Sequence, residues 1–300
     1  MLKTPVSPSR PWLFVGTIPD PACPLVVAPC TTREEKLALG DLSCSVNRGT
    51  PAMLTAAALA YAQLVPEKNA TDLYALVAGD TGNGKGSREV YEKLLQLLPK
   101  MQPRGITFHY LLPDVDYHNR ILMALEALAD RPLLVADAGY MYAAKMSGYA
   151  EQYDLFTPDI GELAFLADEK APHPFYTRNF FLADEARAEE LIAAAYAHNN
   201  ASQHMLVKGS VDRHVHKGSI LETIATPDVP MLEPVGGTGD TLTGIVSALL
   251  AAGKTMDESC TTAFKVNRYM GFLAHPTPAS SIAALLPFLQ TAFSHVTNRP

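Results

Sequence analysis

The sequence lacks several features that mark particular classes of protein. Acidic residues outnumber basic ones: the chain has 31 acidic residues and 24 lysines and arginines, which gives a net charge of −7. A protein that binds a nucleic-acid duplex needs a basic surface to displace counterions, so we expect no nucleic-acid partner. An anionic small ligand is still compatible with this balance, because one local pocket can oppose the overall charge.

Cysteine pairs and long apolar runs are missing as well. The four cysteines form no CxxC pair and show no zinc spacing, which predicts reduced, partly buried thiols. The start of the chain has prolines at positions 5, 8 and 11, followed by only a short apolar run, unlike a signal peptide. No run approaches the ~20 apolar residues of a membrane span. We therefore expect a cytoplasmic protein with no membrane partner.

Short apolar runs alternate with helical patterns along the chain. Runs bounded by glycine, proline or polar turns predict buried strands at 73–79, 105–112, 131–139, 153–158 and 203–210. Helical patterns lie at 51–65, 87–98, 117–129 and 183–199. This alternation is typical of βαβ units and predicts an α/β fold with a mainly parallel central sheet and helices on both faces.

We predict one domain over residues 1–300, because no repeat or flexible linker divides the chain. Alternation in 212–227 predicts an antiparallel hairpin near a sheet edge, and 281–293 predicts a last helix kinked at Pro287. The aromatic-rich stretch 166–184 is a candidate lid or subunit contact. Alanine-rich helices are compatible with a homo-oligomer.

The stretch PVGGTGDTLTGIVSALLAAG, residues 234–253, joins a glycine-rich turn to a helix. The turn consists of Gly236, Gly237, Thr238 and Gly239. Such a turn presents unpaired amides at the positive end of a helix dipole, which binds anions. Asp240 follows in the first helical turn, where a carboxylate is well placed to move a proton as general base or acid. The alternative is that Asp240 only caps the helix.

Two weaker motifs accompany this turn. Asp159 and Glu162, in TPDIGE, lie at a helix start and could hold a hydrated magnesium ion, although acids at helix starts are common for dipole reasons alone. Lys208 and Gly209 end a buried strand, where the lysine is either a cation in the site or a solvated strand end.

These motifs, in this order, resemble the ribokinase-like superfamily, and most of all its ATP- or ADP-dependent NAD(P)H-hydrate dehydratases. The matching segments are ADAG at 136–139, TPDIGE at 157–162, LVKGS at 206–210 and GGTGDTLTGI at 236–245. The resemblance implies a ribokinase-like three-layer sandwich, with ATP or ADP and Mg²⁺ as cofactors and a small-molecule substrate.

The resemblance also implies roles for individual residues. Asp240 matches the acidic residue that serves as catalytic base in the kinases and works at the phosphate site in the dehydratases. Gly236 to Gly239 match the anion hole, and Glu162 matches the acid tied to magnesium. Lys208, with Gly209, matches a position near the nucleotide. Candidate substrate-binding residues are Asp80, Asn83, Lys85, Asp137 and Asp159.

The chain also departs from the dehydratases in ways that bear on the substrate. Asp159 replaces the histidine of the dehydratases, and Gly139 and Tyr140 break the run that follows Asp137. A kinase acting on a small hydroxylated substrate, such as a sugar or vitamin precursor, is therefore the alternative to repair of hydrated NAD(P)H. A non-catalytic protein that senses a nucleotide or metabolite is a third hypothesis.

Three other patterns allow competing interpretations. The segment GDTGNGK at 79–85 fits a P-loop, but Gly86 stands where a metal-binding hydroxyl is required. His214 and His216 share one face of a strand without a third ligand nearby in sequence, so we expect surface histidines on an edge hairpin. The segment 114–119 offers substrate contacts (Asp114, Asp116, His118 and Asn119) or, equally, a helix cap and solvated turn.

Overall fold

A computed structural model describes residues 10–33, 36–65, 72–177 and 185–297. The strands in this part of the chain are Trp12–Ile18 (β1), Val26–Arg33 (β2), Lys36–Leu39 (β3), Leu42–Cys44 (β4), Leu73–Gly79 (β5), Gly105–His109 (β6), Leu133–Ala136 (β7), Leu155–Phe156 (β8), His204–Val207 (β9), Asp212–His216 (β10) and Ser219–Ile224 (β11). The α-helices are Thr50–Leu64 (α1), Lys85–Met101 (α2), Val115–Glu126 (α3), Gly139–Met146 (α4), Ile160–Ala167 (α5), Ala188–Ala197 (α6), Thr238–Ala251 (α7), Met256–Leu273 (α8), Ile282–Leu285 (α9) and Leu289–Thr297 (α10).

Eleven of the described strands form one mixed sheet in the order β11-β10-β9-β8-β7-β6-β1-β5-β2-β3-β4. The six central strands, from β9 to β5, run parallel to one another. Antiparallel strands extend the sheet at both ends. The predicted α/β fold with a mainly parallel sheet is confirmed, and the central parallel strands bring their carboxyl ends to one edge.

Strand β1 shows how the sheet is buried on both faces. Trp12 and Phe14 enter one apolar cluster, whereas Leu13 and Val15 enter the cluster on the other face. A strand covered on both faces reads as a continuous apolar run without alternation, as expected for the centre of a parallel sheet. Strand β1 is not among the strands predicted from the sequence, where its short apolar run was considered only as evidence against a signal peptide.

Two layers of helices cover the sheet. Helices α1, α7, α8 and α10 contribute to one apolar cluster, and α2, α3, α4 and α6 to the other. Helices α1 and α7 approach closely because Gly244 has no side chain: a Cβ there would lie 2.2 Å from the Met53 carbonyl oxygen. Gly244 therefore serves helix packing, and this contact holds the starts of both helices beside each other.

Most of the predicted elements are present, with shorter strands than the apolar runs suggested. The hairpin of β10 and β11 is antiparallel, and a 3₁₀ turn at Leu286–Phe288 separates α9 from α10 at the predicted kink. The sequence reading missed β2, β3, β4, α4 and α8. Residues 178–184 of the candidate lid lie outside the described part of the chain, so that interpretation stays a prediction. No helix of the described residues is long and apolar enough to cross a bilayer.

Candidate active site

The candidate site lies where parallel strands end and two helices begin. Strand β6 ends at His109, while Asp137 and Lys208 directly follow β7 and β9. The glycine turn before α7 and the start of α1 meet these strand ends. Ligands of open α/β sheets bind at this edge, because the carboxyl ends of the strands and the amino ends of helices converge there.

The glycine turn has the geometry of an anion-binding site. Gly237 has a φ of 105°, a conformation that favours glycine. Helix α7 begins at Thr238, so its first amides have no acceptor within the helix. A Cβ at Gly239 would lie 3.2 Å from the Lys208 ammonium nitrogen, which shows how closely this cation approaches the turn. The predicted anion hole therefore has both free donors and positive charge.

Asp240 belongs to the site and does not cap its own helix. Its Oδ2 accepts a hydrogen bond from the Gly49 amide at 2.6 Å, and its Oδ1 lies 3.0 Å from His109 Nε2. Burial acts to raise the pKa of Asp240, but the His109 and Gly49 hydrogen bonds and the Lys208 charge outweigh it, so the pKa is lowered. The carboxylate is thus ionised at neutral pH and oriented by two donors.

His109 is the main site residue that the sequence reading missed. Its ring is fully buried, and Nδ1 lies 3.0 Å from the Thr50 hydroxyl oxygen. Since Thr50 can donate to Nδ1, the network assigns the ring proton to Nε2, which then donates to Asp240. A Cβ at Gly16 would meet the His109 carbonyl oxygen at 2.4 Å, so a glycine in β1 makes room for this arrangement. The available signal was a histidine ending an apolar strand.

Lys208 is held between carboxylates and is not a solvated strand end. Its ammonium lies 3.0 Å from Asp137 Oδ1 and 3.8 Å from Glu162 Oε2. Burial alone would lower the pKa of Lys208, but the charges of Asp137, Glu162 and Asp159 raise it well above its usual value. The lysine therefore stays charged beside the glycine turn.

The Asp137 carboxylate is buried and binds groups of the protein itself. Its Oδ1 accepts from Lys208 and from the Ala138 amide, and its Oδ2 accepts from the Thr243 hydroxyl at 2.6 Å. The side chain is only 2% exposed. Both oxygens accept hydrogen bonds from the protein, so this carboxylate holds Lys208 in place, and direct substrate binding by Asp137 stays a prediction.

Asp159 and Glu162 form a reciprocal cap at the start of α5. Asp159 accepts from the Glu162 amide, and Glu162 Oε2 accepts from the Asp159 amide, each at 2.8 Å. Burial and the Asp159 charge raise the pKa of Glu162 well above its usual value, although Lys208 acts to lower it. Asp159 therefore stabilises α5, and nothing in its contacts indicates a substrate.

The carboxylates around Lys208 fit a hydrated magnesium ion. Asp137 and Glu162 place carboxylate oxygens within 4 Å of the Lys208 ammonium, and Asp159 is bonded to Glu162 beside them, so several oxygen ligands are gathered in one place. Oxygen ligands and retained waters are what Mg²⁺ prefers. Glu162 is the residue best placed to hold such an ion through water, since its Oε2 alone is used by the cap.

The glycine-rich loop after β5 is not a P-loop. The Asp80 carboxylate accepts from the amides of Gly82, Gly84 and Ser87 and from the Ser87 hydroxyl, at 2.8–3.1 Å. In a P-loop these amides would bind phosphate, whereas here the chain's own carboxylate fills the nest. The charge of Asp80 therefore holds the loop together.

Asn83 and Lys85 point to solvent at the surface of this loop, and substrate binding by them stays a prediction. Both are exposed. Asn83 Oδ1 accepts from the Lys85 amide, and the Lys85 ammonium, 80% exposed, lies 4.0 Å from Glu89.

The side chains of Asp114 and His118, in the segment 114–119, make contacts within the protein. Asp114 caps α3, and His118 is buried between the hydroxyls of Ser147 and Tyr153.

A cavity of about 370 Å³ borders the carboxylate site. Gly49 and Thr50 line it and also contact Asp240 and His109. Its lining includes Arg48, an exposed cation whose Cδ would lie 3.6 Å from a Cβ at Gly236. The backbone groups of Gly209, by contrast, are bonded to Asp212 and Arg268, which leaves that residue only van der Waals contact to offer a nucleotide.

The chain is similar to proteins of known fold and family. A solved structure of Staphylococcus aureus pyridoxal kinase with AMP-PCP and pyridoxal has a TM-score of 0.54 at 17% identity, covering 86% of this chain and 87% of that one. Phosphofructokinase-2 from Escherichia coli in complex with potassium has a TM-score of 0.53 at 12% identity, covering 96% and 99%. At these identities the likeness shows the ribokinase-like fold.

A sequence relative and a family model establish the family of the chain. The uncharacterized protein MJ1337 of Methanocaldococcus jannaschii is 34% identical over 225 residues, which span 75% of this chain and 92% of that protein. The model of the Carb_kinase family, described as NAD(P)H-hydrate dehydratase, matches residues 116–286, more than half of the chain. The matched region includes Asp137, Lys208 and the glycine turn with Asp240. The chain therefore belongs to the Carb_kinase family of ribokinase-like enzymes.

Proposed function

We propose that this protein is an ATP- or ADP-dependent enzyme that repairs hydrated NAD(P)H by phosphorylating and then dehydrating it. The observation that carries the proposal is the Asp240 carboxylate, which is ionised, held by two donors and located in the first turn of the anion-binding helix. The family description supports the choice of substrate. A protein that only binds a nucleotide has little use for an acid at the phosphate site.

Each residue of the site has a distinct role in this proposal. The amides of the glycine turn and the Lys208 ammonium bind the transferring phosphoryl group, whose charge they stabilise. Magnesium, when bound through Glu162, supplies further neutralisation of the phosphate charge. As the substrate hydroxyl oxygen attacks phosphorus and the bond to the leaving nucleotide breaks, its proton passes to Asp240. Phosphate then leaves with the electrons of the C–O bond, the neighbouring ring carbon loses a proton to solvent, and the electrons of that C–H bond form the restored nicotinamide double bond.

A kinase acting on a small hydroxylated acceptor is the second candidate. The size of the cavity favours it, because about 370 Å³ is near the lower end of small-molecule pockets. The departures at Asp159 and after Asp137 also fall where the dehydratases carry other residues. In this case the first step is the same, and the phosphorylated product is released without elimination.

Asp240→Asn tests the catalytic role shared by both candidates. The substitution removes the base without adding bulk, so turnover should fall by ~10² to 10⁴ while nucleotide affinity is largely retained. Asp116→Asn is the matched control, because Asp116 is 79% exposed on α3 and contacts only the neighbouring Arg120. Unchanged turnover in Asp240→Asn, with both variants folded, would remove Asp240 from the mechanism.

Ligand-dependent melting separates the candidate functions. ATP or ADP at 100 times its dissociation constant should stabilise the protein by about 2.7 kcal/mol, visible as a shift of several degrees. Incubation with hydrated NADPH, nucleotide and Mg²⁺ should restore the reduced-nicotinamide absorbance if the protein is the dehydratase. Nucleotide binding without this recovery favours the kinase, and the absence of any nucleotide response favours a non-nucleotide binding protein.

A further inference from the structure

A second cluster of chemically active side chains lies at the opposite edge of the sheet. It consists of His204 at the start of β9, His214 in β10 and Asp257 in the first turn of α8. Lys208 directly follows the other end of β9, four residues or about 13 Å away along an extended strand. The cluster is therefore separate from the site of Asp240.

The sheet brings the two histidines together on one face. Strands β9 and β10 are antiparallel, with His214 opposite Leu206 and His216 opposite His204. His204 and Leu206 consequently share a face with His214, and α8 packs against β10. His214 is only 1% exposed because β11 covers the outer side of β10, which corrects the expectation that this histidine is a surface residue on an edge strand.

The ligand atoms of the cluster have the spacing of a small coordination sphere. His204 Nδ1 lies 3.1 Å from His214 Nε2, and His214 Nε2 lies 3.8 Å from Asp257 Oδ1. All three atoms lie within 4.8 Å of one another. Two nitrogens bound to one tetrahedral Zn²⁺ at its usual bond length stand about 3.4 Å apart. The observed separations therefore need only small side-chain adjustments to surround a single ion.

An ion can reach the cluster from solvent. The Asp257 side chain is 71% exposed, which gives an ion access from solvent.

The other groups nearby are already engaged. Glu222 lies opposite His214 in β11, but its carboxylate accepts from the Thr261 hydroxyl and lies 3.4 Å from the Lys265 ammonium. The His216 ring stacks on His204 with centroids 4.1 Å apart. These contacts hold the His204 ring in place and leave His204, His214 and Asp257 as the ligand set.

We propose that His204, His214 and Asp257 bind a divalent transition-metal ion of the zinc class, with water completing the coordination. Two imidazoles and one carboxylate favour Zn²⁺ over Mg²⁺, which prefers an all-oxygen set. The ion would link β9 and β10 to the start of α8, at a distance from the nucleotide. Its role would be to fix this edge of the sheet, in addition to the proposed enzymatic activity.

Titration of the full-length, metal-stripped protein with Zn²⁺ against a chromophoric chelator tests the proposal. We expect one equivalent of Zn²⁺ to bind and to raise the melting temperature, with no such response to Mg²⁺ at the same concentration. Asp257→Asn and His204→Gln should each weaken Zn²⁺ binding by at least about tenfold, the loss that removal of an outer-shell partner already causes. Co²⁺ in place of Zn²⁺ should give the visible absorption of a tetrahedral site.

A matched control distinguishes this site from chance binding to histidine. His198→Gln alters a histidine whose Nδ1 contacts the Ala167 carbonyl oxygen, outside the cluster, and should leave Zn²⁺ binding unchanged. Asp257 is largely exposed, so its variant tests the site without disturbing the core. Absence of stoichiometric Zn²⁺ binding, or equal affinity in Asp257→Asn, His204→Gln and the wild type, overturns the proposal, whatever the outcome for Asp240.

Discussion

His109 and Asp240 are paired through a 3.0 Å contact between Nε2 and Oδ1, although they are 131 residues apart in sequence. The imidazole is fully buried, and its other nitrogen is held by Thr50. A base whose carboxylate is fixed by a buried neighbour needs little reorganisation when it accepts a proton. We therefore propose that His109 is a positioning residue for Asp240 in the proposed reaction.

Replacing His109 should change the pH dependence of the reaction. The His109 hydrogen bond lowers the pKa of Asp240, so His109→Leu should raise it. Because the base must be ionised, the acidic limb of the kcat/KM profile should move to higher pH.

His109→Gln provides the matched variant for this prediction. Its amide can still donate a hydrogen bond toward Asp240, so its profile should lie between those of the wild type and His109→Leu. A purely structural role for His109 would lower activity in both variants without moving the acidic limb. That outcome would separate His109 from the chemistry.

Gly237→Ala and Gly253→Ala separate the anion hole from backbone strain. Both glycines have positive φ, 105° and 87°, so each substitution should cost about 1–2 kcal/mol of unfolding free energy in urea. At Gly237 the added Cβ also meets Ile282 at 3.0 Å, whereas nothing lies within 4 Å at Gly253. Only Gly237→Ala should also reduce turnover, by roughly 10²-fold, because it displaces the anion-binding amides. Equal activity in the two variants would contradict the anion-hole assignment.

Local sequence patterns predicted the elements whose geometry depends on local chemistry. The short apolar runs predicted five of the six central parallel strands, all but β1. The glycines before α7 predicted the turn, because positive φ at Gly237 and close approach at Gly239 are properties of those residues themselves. Asp240 could be singled out for the same reason. The residues that form the turn are consecutive, so its chemistry can be recognised from the sequence without knowledge of the fold.

Contacts between distant segments could not be predicted in this way. Nothing local distinguishes His109 from any histidine at a strand end, since its role depends on Thr50 and Asp240 reaching it from two helices. Asp257 could not be identified from its local sequence either, since it lies close to His214 only because α8 packs against β10. Asp80 lines the cavity, so its contact with a substrate stays a prediction, but the sequence alone could not show that its carboxylate also binds the amides of its own loop.

Lys208→Met should destabilise the protein more than the loss of an ordinary ion pair. It leaves Asp137, only 2% exposed, and Glu162, only 12% exposed, without their cation. Removing one partner of a buried pair costs about 3–5 kcal/mol, since the remaining charge is uncompensated. Lys254→Met is the control, because Lys254 and Glu258 are both well exposed and should contribute less than about 1 kcal/mol. Similar urea midpoints for the two variants would show that Lys208 is effectively solvated.

Asp80→Asn should give a stability change that depends on pH. Burial acts to raise the pKa of Asp80, but hydrogen bonds from Ser87, Gly82 and Gly84 outweigh it, and the pKa falls below its ordinary value of 3.8. A lowered folded-state pKa contributes stability above the unfolded value, and this contribution is lost as the pH falls through the folded value. The variant should therefore lose about 2 kcal/mol at pH 7.

The difference between wild type and Asp80→Asn should shrink below about pH 4, as the wild-type carboxyl becomes protonated in both states. Urea denaturation at several pH values measures it. Asp116→Asn, on an exposed carboxylate of α3, should track the wild type throughout. A pH-independent difference would mean that the amides of the loop are held by the shape of the Asp80 side chain, with its charge contributing little.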